Sequence, residues 1–255
     1  MTIGSSDSSG GAGIQGDIKA MASIGCYATT VIVGVTAQNT RGVTDRFTVP
    51  VPVVLAQLDA VSSDIVIDAI KIGTTWSAHH VTAVAEWLTG RSVPIVVDPV
   101  MVSAAGAALG DPDAVTAVRR LLLPLATIVT PNLEEARLLT GLPGATPRQA
   151  AEHLVGSGVS AAIVTCGGPA GGEWYADASS SHEIPRPGHR TGAEHGAGCA
   201  HSALITGLLA QGMDACAAAE VATSRAAVAV RDGLRSIGQG VHPVDTLNLL
   251  RVSSS

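Results

Sequence analysis

A glycine-rich stretch that runs into an apolar segment holds the residues of this chain best suited to chemistry. It reads Thr191-Gly-Ala-Glu-His-Gly-Ala-Gly-Cys-Ala-His-Ser202 and continues as an Ala- and Leu-rich segment to Gln211. The spacing predicts a helix that begins at Gly196. The first backbone N–H groups of such a helix have no intrahelical acceptor and carry the positive end of the dipole. We therefore expect an anion site, formed by Gly196, Ala197 and Gly198.

Cys199 lies in the first turn of the same predicted helix. A helix start lowers the pKa of a thiol and raises its thiolate fraction. The sequence therefore predicts a proton acceptor beside the anion site. In the alternative interpretation Cys199 is a small buried apolar residue, which is the commoner role of cysteine.

The composition excludes several classes of protein. With 46% apolar and 14% charged residues, the 255-residue chain is not disordered, and we expect one α/β domain over residues 1–255. A net charge of −6 without any basic run argues against nucleic-acid and membrane partners. No apolar run approaches the ~20 residues of a membrane span, and no leader-like segment follows Met1. Lysine occurs only at Lys19 and Lys71, which excludes a Walker-type phosphate loop.

The cysteines and histidines show no spacing typical of a metal site. The four cysteines form no C-x-x-C pair, which predicts reduced thiols in a cytoplasmic protein. We expect surface or core positions for the histidines that stand outside the glycine-rich stretch, which include His79, His80, His153, His182 and His189.

Apolar periodicity predicts alternating strands and helices over most of the chain. Strands are expected at Met1–Gly4, Tyr27–Thr36, Asp68–Gly73, Val93–Asp98, Ala126–Thr130 and Ala161–Thr165, and a small antiparallel hairpin at Trp174–Asp177 and Ser181–Pro187. Helices are expected from Ile14 to a cap at Gly25 and at Pro50–Ser63, Ser77–Thr89, Asp111–Pro124, Asn132–Gly141, Pro147–Val155, Gly196–Gln211, Asp214–Arg231 and Pro243–Leu250. This alternation implies a parallel sheet covered by helices on both faces, with ligands at the carboxyl ends of its strands.

Six short motifs occur in a fixed order along nearly the whole chain. They are Ser6-Asp-Ser-Ser-Gly-Gly-Ala-Gly-Ile-Gln15, Thr36-Ala-Gln-Asn-Thr-Arg-Gly42, Lys71-Ile-Gly73, Asp98-Pro-Val-Met101, Thr130-Pro-Asn-Leu-Glu-Glu-Ala136 and His195-Gly-Ala-Gly-Cys199. Each alone is common, but the ordered set resembles the bacterial hydroxymethylpyrimidine/phosphomethylpyrimidine kinases of thiamine biosynthesis. The resemblance implies a ribokinase-like fold, a three-layer α/β/α sandwich with a mostly parallel central sheet and a small antiparallel hairpin.

The resemblance also implies an activity. It is transfer of the γ-phosphoryl group of ATP to the hydroxymethyl group of 4-amino-5-hydroxymethyl-2-methylpyrimidine, and then to the monophosphate, with Mg²⁺ and in a cytoplasmic homodimer. Cys199 matches the position of the base that accepts the hydroxyl proton. In the alternative, Cys199 has only a structural role at the helix start. The other site residues implied are Gln38, Asp17 and Gly11 for the pyrimidine, Asn132, Asp98 and Thr165 for ATP, and Glu135 for Mg²⁺ through water.

Three of these residues have structural alternatives. Gln38 complements an aminopyrimidine because its amide offers a donor beside an acceptor, but a glutamine at a strand end also stabilises turns. Asp17 would serve equally well as an acid that complements a helix dipole. Asp98 would serve as the cap of an Asp-Pro turn.

The chain departs from the family at several positions near the ligands. Ala197 and Ala200 stand where threonine is usual, Cys166 and Gln239 where a basic residue is frequent, and Thr74 and Ser5 replace a common Met and Gly. We expect less cationic help at the nucleotide and an altered pyrimidine pocket. Two rival functions therefore remain: a kinase of pyridoxal-type rings on the same fold, and a pyrimidine-binding sensor without catalysis.

Overall fold

A nine-stranded sheet is the centre of the fold in the computed structural model, which describes residues 1–100, 112–166, 172–186, 188 and 191–249. The strands are β1 Thr2–Asp7, β2 Thr30–Asn39, β3 Gly42–Thr48, β4 Ile70–Ile72, β5 Ile95–Val97, β6 Ile128–Val129, β7 Ala161–Val164, β8 Glu173–Asp177 and β9 Ser181–Ile184. Their spatial order is β3-β2-β1-β4-β5-β6-β7-β8-β9. The strands from β2 to β7 in this order pair in parallel, and β3, β8 and β9 pair antiparallel.

Eight α-helices connect these strands in the part of the chain that is described. They are α1 Gly13–Ala22, α2 Val51–Ser62, α3 Ala78–Leu88, α4 Pro112–Ala117, α5 Leu133–Thr140, α6 Pro147–Gly156, α7 Ala197–Ala210 and α8 Ala215–Arg231. After α4 the chain continues as a π-helical turn and a 3₁₀ turn that ends at Leu125. The predicted start of this helix at Asp111 lies outside the described residues, as do Met101, His189 and Leu250.

Side chains of the parallel strands alternate between two apolar layers, as the period of a strand requires. On β5, Val96 packs with Leu204 of α7 and Ala222 of α8, whereas Ile95 and Val97 face the opposite layer with α2, α3 and α6. The sheet is therefore buried between helices on both faces, and the predicted three-layer arrangement is confirmed. No helix within the described ranges is long and apolar enough to cross a membrane.

Three predictions about elements need correction. Strand β3 was not predicted, because most of its residues are exposed and it has no apolar face to create a pattern. Strand β1 extends to Asp7, because it pairs in parallel with β2 as far as the partners Asp7 and Thr36. The helix predicted at Pro243–Leu250 is wrong for residues 243–249: Val244 donates its N–H to the His195 carbonyl, and the Asp245 carboxylate accepts the N–H groups of Leu247 and Leu249.

The small hairpin is confirmed in β8 and β9, which pair from Glu173 with Ile184 to Ala176 with Ser181. Its second strand ends at Ile184, earlier than predicted, and Pro187 lies outside the described residues. The carboxyl ends of β1, β4, β5, β6 and β7 lie at the same edge of the sheet. Strand β1 ends with Asp7 there, and the other four strands are followed directly by Gly73, Asp98, Thr130 and Thr165. This edge faces the starts of α1 and α7.

Candidate active site

Two helices begin at one cleft without a side-chain cap. The residues before α1 and α7 are Ala12 and Gly196, and neither provides a side-chain hydrogen bond to the helix that follows. In contrast, α3, α5, α6 and α8 are capped by Ser77, Asn132, Thr146 and Asp214. No N-cap side chain therefore occupies the first-turn N–H groups of α1 and α7, which is the property expected of an anion site.

The start of α7 depends on glycine at position 196. Gly196 has φ of 82°, a left-handed conformation that favours glycine. A Cβ atom there would overlap the carbonyl oxygen of Gly11, so α7 is packed directly on the glycine-rich loop before α1. Next to it, a Cβ on Gly198 would meet nothing within 4 Å. The loop thus closes against Gly196, while the backbone at Gly198 stays open.

The predicted anion cradle is formed in part. The N–H group of Ala197 donates to the carbonyl oxygen of Glu194 at 3.1 Å, so it closes a turn. The N–H groups of Gly198 and Cys199 belong to the first turn and need an acceptor from outside the helix. Within the predicted stretch, the N–H groups of Gly198 and Cys199 therefore remain for an anion, and Gly196 forms the turn before them.

A buried pair of side chains joins this helix start to the end of β1. The Nε2 atom of His195 lies 2.9 Å from Oδ2 of Asp7. The same carboxylate accepts the N–H groups of Ser9 and Ala12 at 2.8 and 2.9 Å. Burial alone would raise the pKa of Asp7, but the hydrogen bonds from His195, Ser9 and Ala12 outweigh it and hold the pKa below its ordinary value. The Asp7 carboxylate therefore fixes the loop and the segment before α7 together.

Lys71 on β4 occupies the floor of the cleft and is almost wholly buried. Its ammonium group donates to Asp17 of α1, lies 3.5 Å from Oδ2 of Asp98, and lies 3.4 Å from the carbonyl oxygen of Cys199. Burial opposes the positive charge, but Asp17 and the neighbouring anionic groups outweigh it and raise the pKa of Lys71. Asp98 also accepts a hydrogen bond from Ser202 of α7 at 2.7 Å. The cluster thus ties β4, β5, α1 and α7 to one buried charge.

The structure corrects the predicted chemistry of Cys199. Burial raises the pKa of this thiol to about 12, and the carboxylates of Asp98 and Asp17 add to the effect. Lys71 and the N–H of Gly13 offset only part of it. The prediction of a lowered pKa was wrong because it considered the helix start alone, and neither the burial of the thiol nor the two carboxylates beneath it. This raised pKa favours the protonated thiol at neutral pH.

Gln38 lies at the end of β2, where the register with β3 shifts between Ala37 and Gln38. Such a bulge redirects a side chain at the rim of a sheet. Its amide oxygen accepts a hydrogen bond from Thr36 Oγ1 at 3.0 Å, and its backbone is held by Ser8. The side chain is half-buried in the cleft wall. Its backbone helps to hold the loop, as the turn-stabilising alternative would require, and its amide NH₂ group remains a donor.

Asn132 and Glu135 start α5 at the opposite side of the cleft. Each side chain accepts the backbone N–H of the other residue at 2.9 Å, which forms a capping box. Thr165 follows β7 and forms a bridge with Asn132. The hydroxyl oxygen of Thr130 is buried in the same wall and has no hydrogen-bond partner, so this wall has polar capacity left for a ligand.

The cleft brings together ten of the eleven predicted site residues. Those that line it are Asp17, Gln38, Asp98, Asn132, Glu135, Thr165, Gly196, Ala197, Gly198 and Cys199. Gly11 does not line it but packs behind the wall, where a Cβ would overlap His195. The alternative for Asp17 is not supported, because Asp17 lies beyond the first turn of α1 and is paired with Lys71.

Sequence analysis assigned no role to Lys71, Asp7, His195 or Ser202. Lys71 had a signal, since it is one of two lysines and stands in a predicted buried strand beside a glycine. A buried lysine needs a carboxylate partner, and that reasoning would have led to Asp17 or Asp98. The partners of Asp7 and Ser202 lie 188 and 104 residues away in sequence, and no local pattern marks them.

Comparison with known proteins gives a consistent result. The family model described as phosphomethylpyrimidine kinase matches residues 7–245. The hydroxymethylpyrimidine/phosphomethylpyrimidine kinase of Rhizobium meliloti is 42% identical over 253 residues, which cover 96% of this chain and 95% of that protein. The expectations of a kinase and of a ribokinase-like fold are confirmed.

Two solved structures are similar over most of the chain. The ADP complex of Staphylococcus aureus pyridoxal kinase has a TM-score of 0.88 at 30% identity, covering 98% of this chain and 94% of the other. The phosphomethylpyrimidine kinase of Clostridium difficile has a TM-score of 0.76 at 32% identity, covering 87% and 94%.

The low pKa of Asp7 predicts a pH-dependent contribution to stability. That contribution is present above the pKa of aspartate in the unfolded chain, about 3.9, and is lost as the pH falls towards and below the folded-state value. Asp7→Asn should therefore lower the free energy of unfolding by about 1–3 kcal/mol at neutral pH, and this loss should shrink in acid. Urea unfolding at about pH 7 and about pH 3 measures both values. The exposed Asp64→Asn is the control, and a loss that grows in acid would contradict the assignment.

Proposed function

Because the chain belongs to the phosphomethylpyrimidine kinase family, we propose that it transfers the γ-phosphoryl group of ATP to 4-amino-5-hydroxymethyl-2-methylpyrimidine and then to the monophosphate. The observation that carries this proposal is the convergence of two uncapped helix starts on one cleft, with Cys199 between them. Phosphoryl transfer needs positioned reactants, neutralised charge and an acceptor for the hydroxyl proton. The cleft offers a group for each need.

The transferring phosphoryl group is proposed to lie at the start of α7. The N–H groups of Gly198 and Cys199 would donate to its equatorial oxygens, which gain charge during transfer. Lys71 lies just below, but Asp17 and Asp98 already neutralise it. The start of α7 therefore supplies donors without bringing a free cation, which accords with the loss of basic residues at positions 166 and 239.

Cys199 is proposed to accept the proton of the substrate hydroxyl. With a pKa of about 12, little of it is ionised at neutral pH, but the ionised fraction is a strong base. Its own proton must first leave to water, and the hydroxyl proton then replaces it as the new P–O bond forms. Turnover should thus be limited by the ionised fraction of this thiol.

The pyrimidine ring is proposed to lie against Gln38 and Asp17. The NH₂ group of Gln38 would donate to a ring nitrogen, and its oxygen retains a lone pair for the neighbouring amino group of the ring. Gly11 would act indirectly, since it supports His195 from behind the wall. Thr74 lines the same cleft. Because methionine is frequent at this position in the family, the choice between pyrimidine and pyridoxal-type rings needs an experimental test.

The opposite wall is proposed to hold ATP and Mg²⁺. The donor set fits the ion, because Asp98 and Glu135 are buried carboxylates and the Thr130 hydroxyl lacks a partner; Mg²⁺ prefers oxygen ligands and keeps several waters. Glu135 also closes the capping box, so a contact through water suits it better than direct ligation. Mg²⁺ would neutralise phosphate charge, while Asn132 and Thr165 position the nucleotide.

Pyridoxal-type rings are the second candidate substrate. The pyridoxal kinase structure has the higher TM-score of the two neighbours, whereas the relative compared by sequence is a pyrimidine kinase. The sensor without catalysis is not favoured, since the matching family and the similar relative are kinases. The homodimer, the cytoplasmic location, the absence of nucleic-acid and membrane partners and the single domain over 1–255 stay predictions. The exposed pair Val35 and Phe47, opposite each other on β2 and β3, supports an interface at that edge.

A mass-spectrometric assay tests the proposed activity. The protein is incubated with ATP, Mg²⁺ and either the hydroxymethylpyrimidine or pyridoxal, and the mono- and diphosphates are followed separately. We expect both pyrimidine phosphates, formed faster than pyridoxal phosphate. Faster pyridoxal phosphorylation would favour the second candidate, and binding without ATP consumption would favour the sensor.

Removal of the Cys199 thiol tests its role as base. Cys199→Ala should lower kcat about 10²–10⁴-fold while pyrimidine affinity persists, because only proton transfer is lost. In the unmodified protein kcat should rise with pH from neutral into the alkaline range. Cys26→Ala, outside the cleft, is the matched control. Unchanged turnover in Cys199→Ala, or a pH-rate plateau near neutrality, would remove the assignment.

Substitution of Gln38 tests the pyrimidine pocket. Gln38→Leu should weaken pyrimidine binding by about 1–3 kcal/mol, because the ring amino group would be buried without a partner. Calorimetric titration measures the affinity. Gln211→Leu, at the far end of α7, should bind normally. An unaltered affinity of Gln38→Leu would place the ring elsewhere.

A further inference from the structure

Three side chains outside the cleft form a group with the chemistry of metal ligands. His182 lies on β9, and Cys216 and Glu220 lie four residues apart on α8. Among the described residues, these are the three whose His, Cys and carboxylate ligand atoms all lie within 4.8 Å of one another. We propose that His182, Cys216 and Glu220 bind a zinc ion that joins the β8–β9 hairpin to α8.

The distances between the ligand atoms suit one tetrahedral ion. His182 Nε2 lies 3.9 Å from Cys216 Sγ and 3.8 Å from Glu220 Oε1. Zn–S and Zn–N bonds of about 2.3 and 2.1 Å at a tetrahedral angle put sulfur and nitrogen about 3.6 Å apart. Small side-chain movements would therefore complete the geometry.

The helix and the strand each favour this arrangement. Residues four apart lie on one face of a helix, so Cys216 and Glu220 present their ligand atoms together. The ring of His182 packs against Tyr175, with centroids 5.5 Å apart, which limits its orientation. Two ligands from α8 and one from β9 thus meet at a fixed junction.

The charge around Cys216 favours a cation. The carboxylates of Glu220, Asp214 and Asp177 all lie close enough to Cys216 to act on it electrostatically. Asp214 caps α8, and Asp177 accepts hydrogen bonds from Tyr175 and Ser179, so these two carboxylates contribute charge rather than ligation. A divalent cation would offset this negative field.

The donor set selects the kind of metal. One sulfur, one nitrogen and one carboxylate oxygen suit Zn²⁺, whereas Mg²⁺ prefers oxygen alone. The side chains of His182 and Glu220 are 38% and 57% exposed, so water has access to the fourth position. None of the three residues lines the cleft, and the ion would therefore act on structure and not on phosphoryl transfer.

Titration of the chelator-treated full chain with Zn²⁺ and Co²⁺ tests the proposal. We expect one equivalent of Zn²⁺ by competition with a chromophoric chelator, and a thiolate-to-cobalt charge-transfer band with Co²⁺. Cys216→Ser should abolish the band. His182→Gln and Glu220→Gln should weaken Zn²⁺ binding by more than about tenfold, since even changes outside the ligands cost about 10–100-fold.

The controls separate this site from the other thiols. Cys26→Ser and His153→Gln should keep both the band and the affinity, and so should Cys199→Ala, which removes the thiol of the cleft. A band that survives Cys216→Ser, or the absence of stoichiometric Zn²⁺ binding by the unmodified chain, would overturn the proposal.

Discussion

The buried ammonium group of Lys71 is the contact on which the floor of the cleft depends. It lies on β4 and joins Asp17 of α1, Asp98 after β5 and the backbone of α7. A buried charge without partners is strongly destabilising, so these elements are held in one relative position. Because its own charge is compensated, Lys71 acts through the placement of Cys199 and the helix starts rather than as a free cation.

The two helix starts at the cleft lack the side-chain cap that four other helices have; α2, which starts after Pro50 away from the cleft, also lacks one. Four helices use a serine, threonine, asparagine or aspartate side chain to satisfy their first turn. The two helices that meet at the cleft begin after alanine and glycine, which provide no such hydrogen bond. A cap contributes about 1 kcal/mol, so its absence at both helices costs stability and keeps donors available for a ligand.

Local patterns in the sequence predicted the elements that have them. The apolar strands, the Asn132 to Glu135 cap and the glycine-dependent start of α7 follow from spacing alone. Strand β3 was not predicted because most of its residues are exposed. The segment 243–249 was mispredicted because Val244 and Asp245 donate to distant segments, and Leu247 and Leu249 donate to the Asp245 side chain. The pKa of Cys199 was mispredicted for a related reason: it is raised first by burial and then by Asp98 and Asp17, and both effects exist only in the folded chain.

The contact between Asp7 and His195 joins residues 188 positions apart. During synthesis the first strand and its glycine loop leave the ribosome long before α7 exists, and domains form as their segments emerge. The nascent chain would thus carry half of the proposed phosphate cradle without its counterpart. Under the proposed function, a nucleotide could bind only after the late helix docks, so ligand affinity would report on completed assembly.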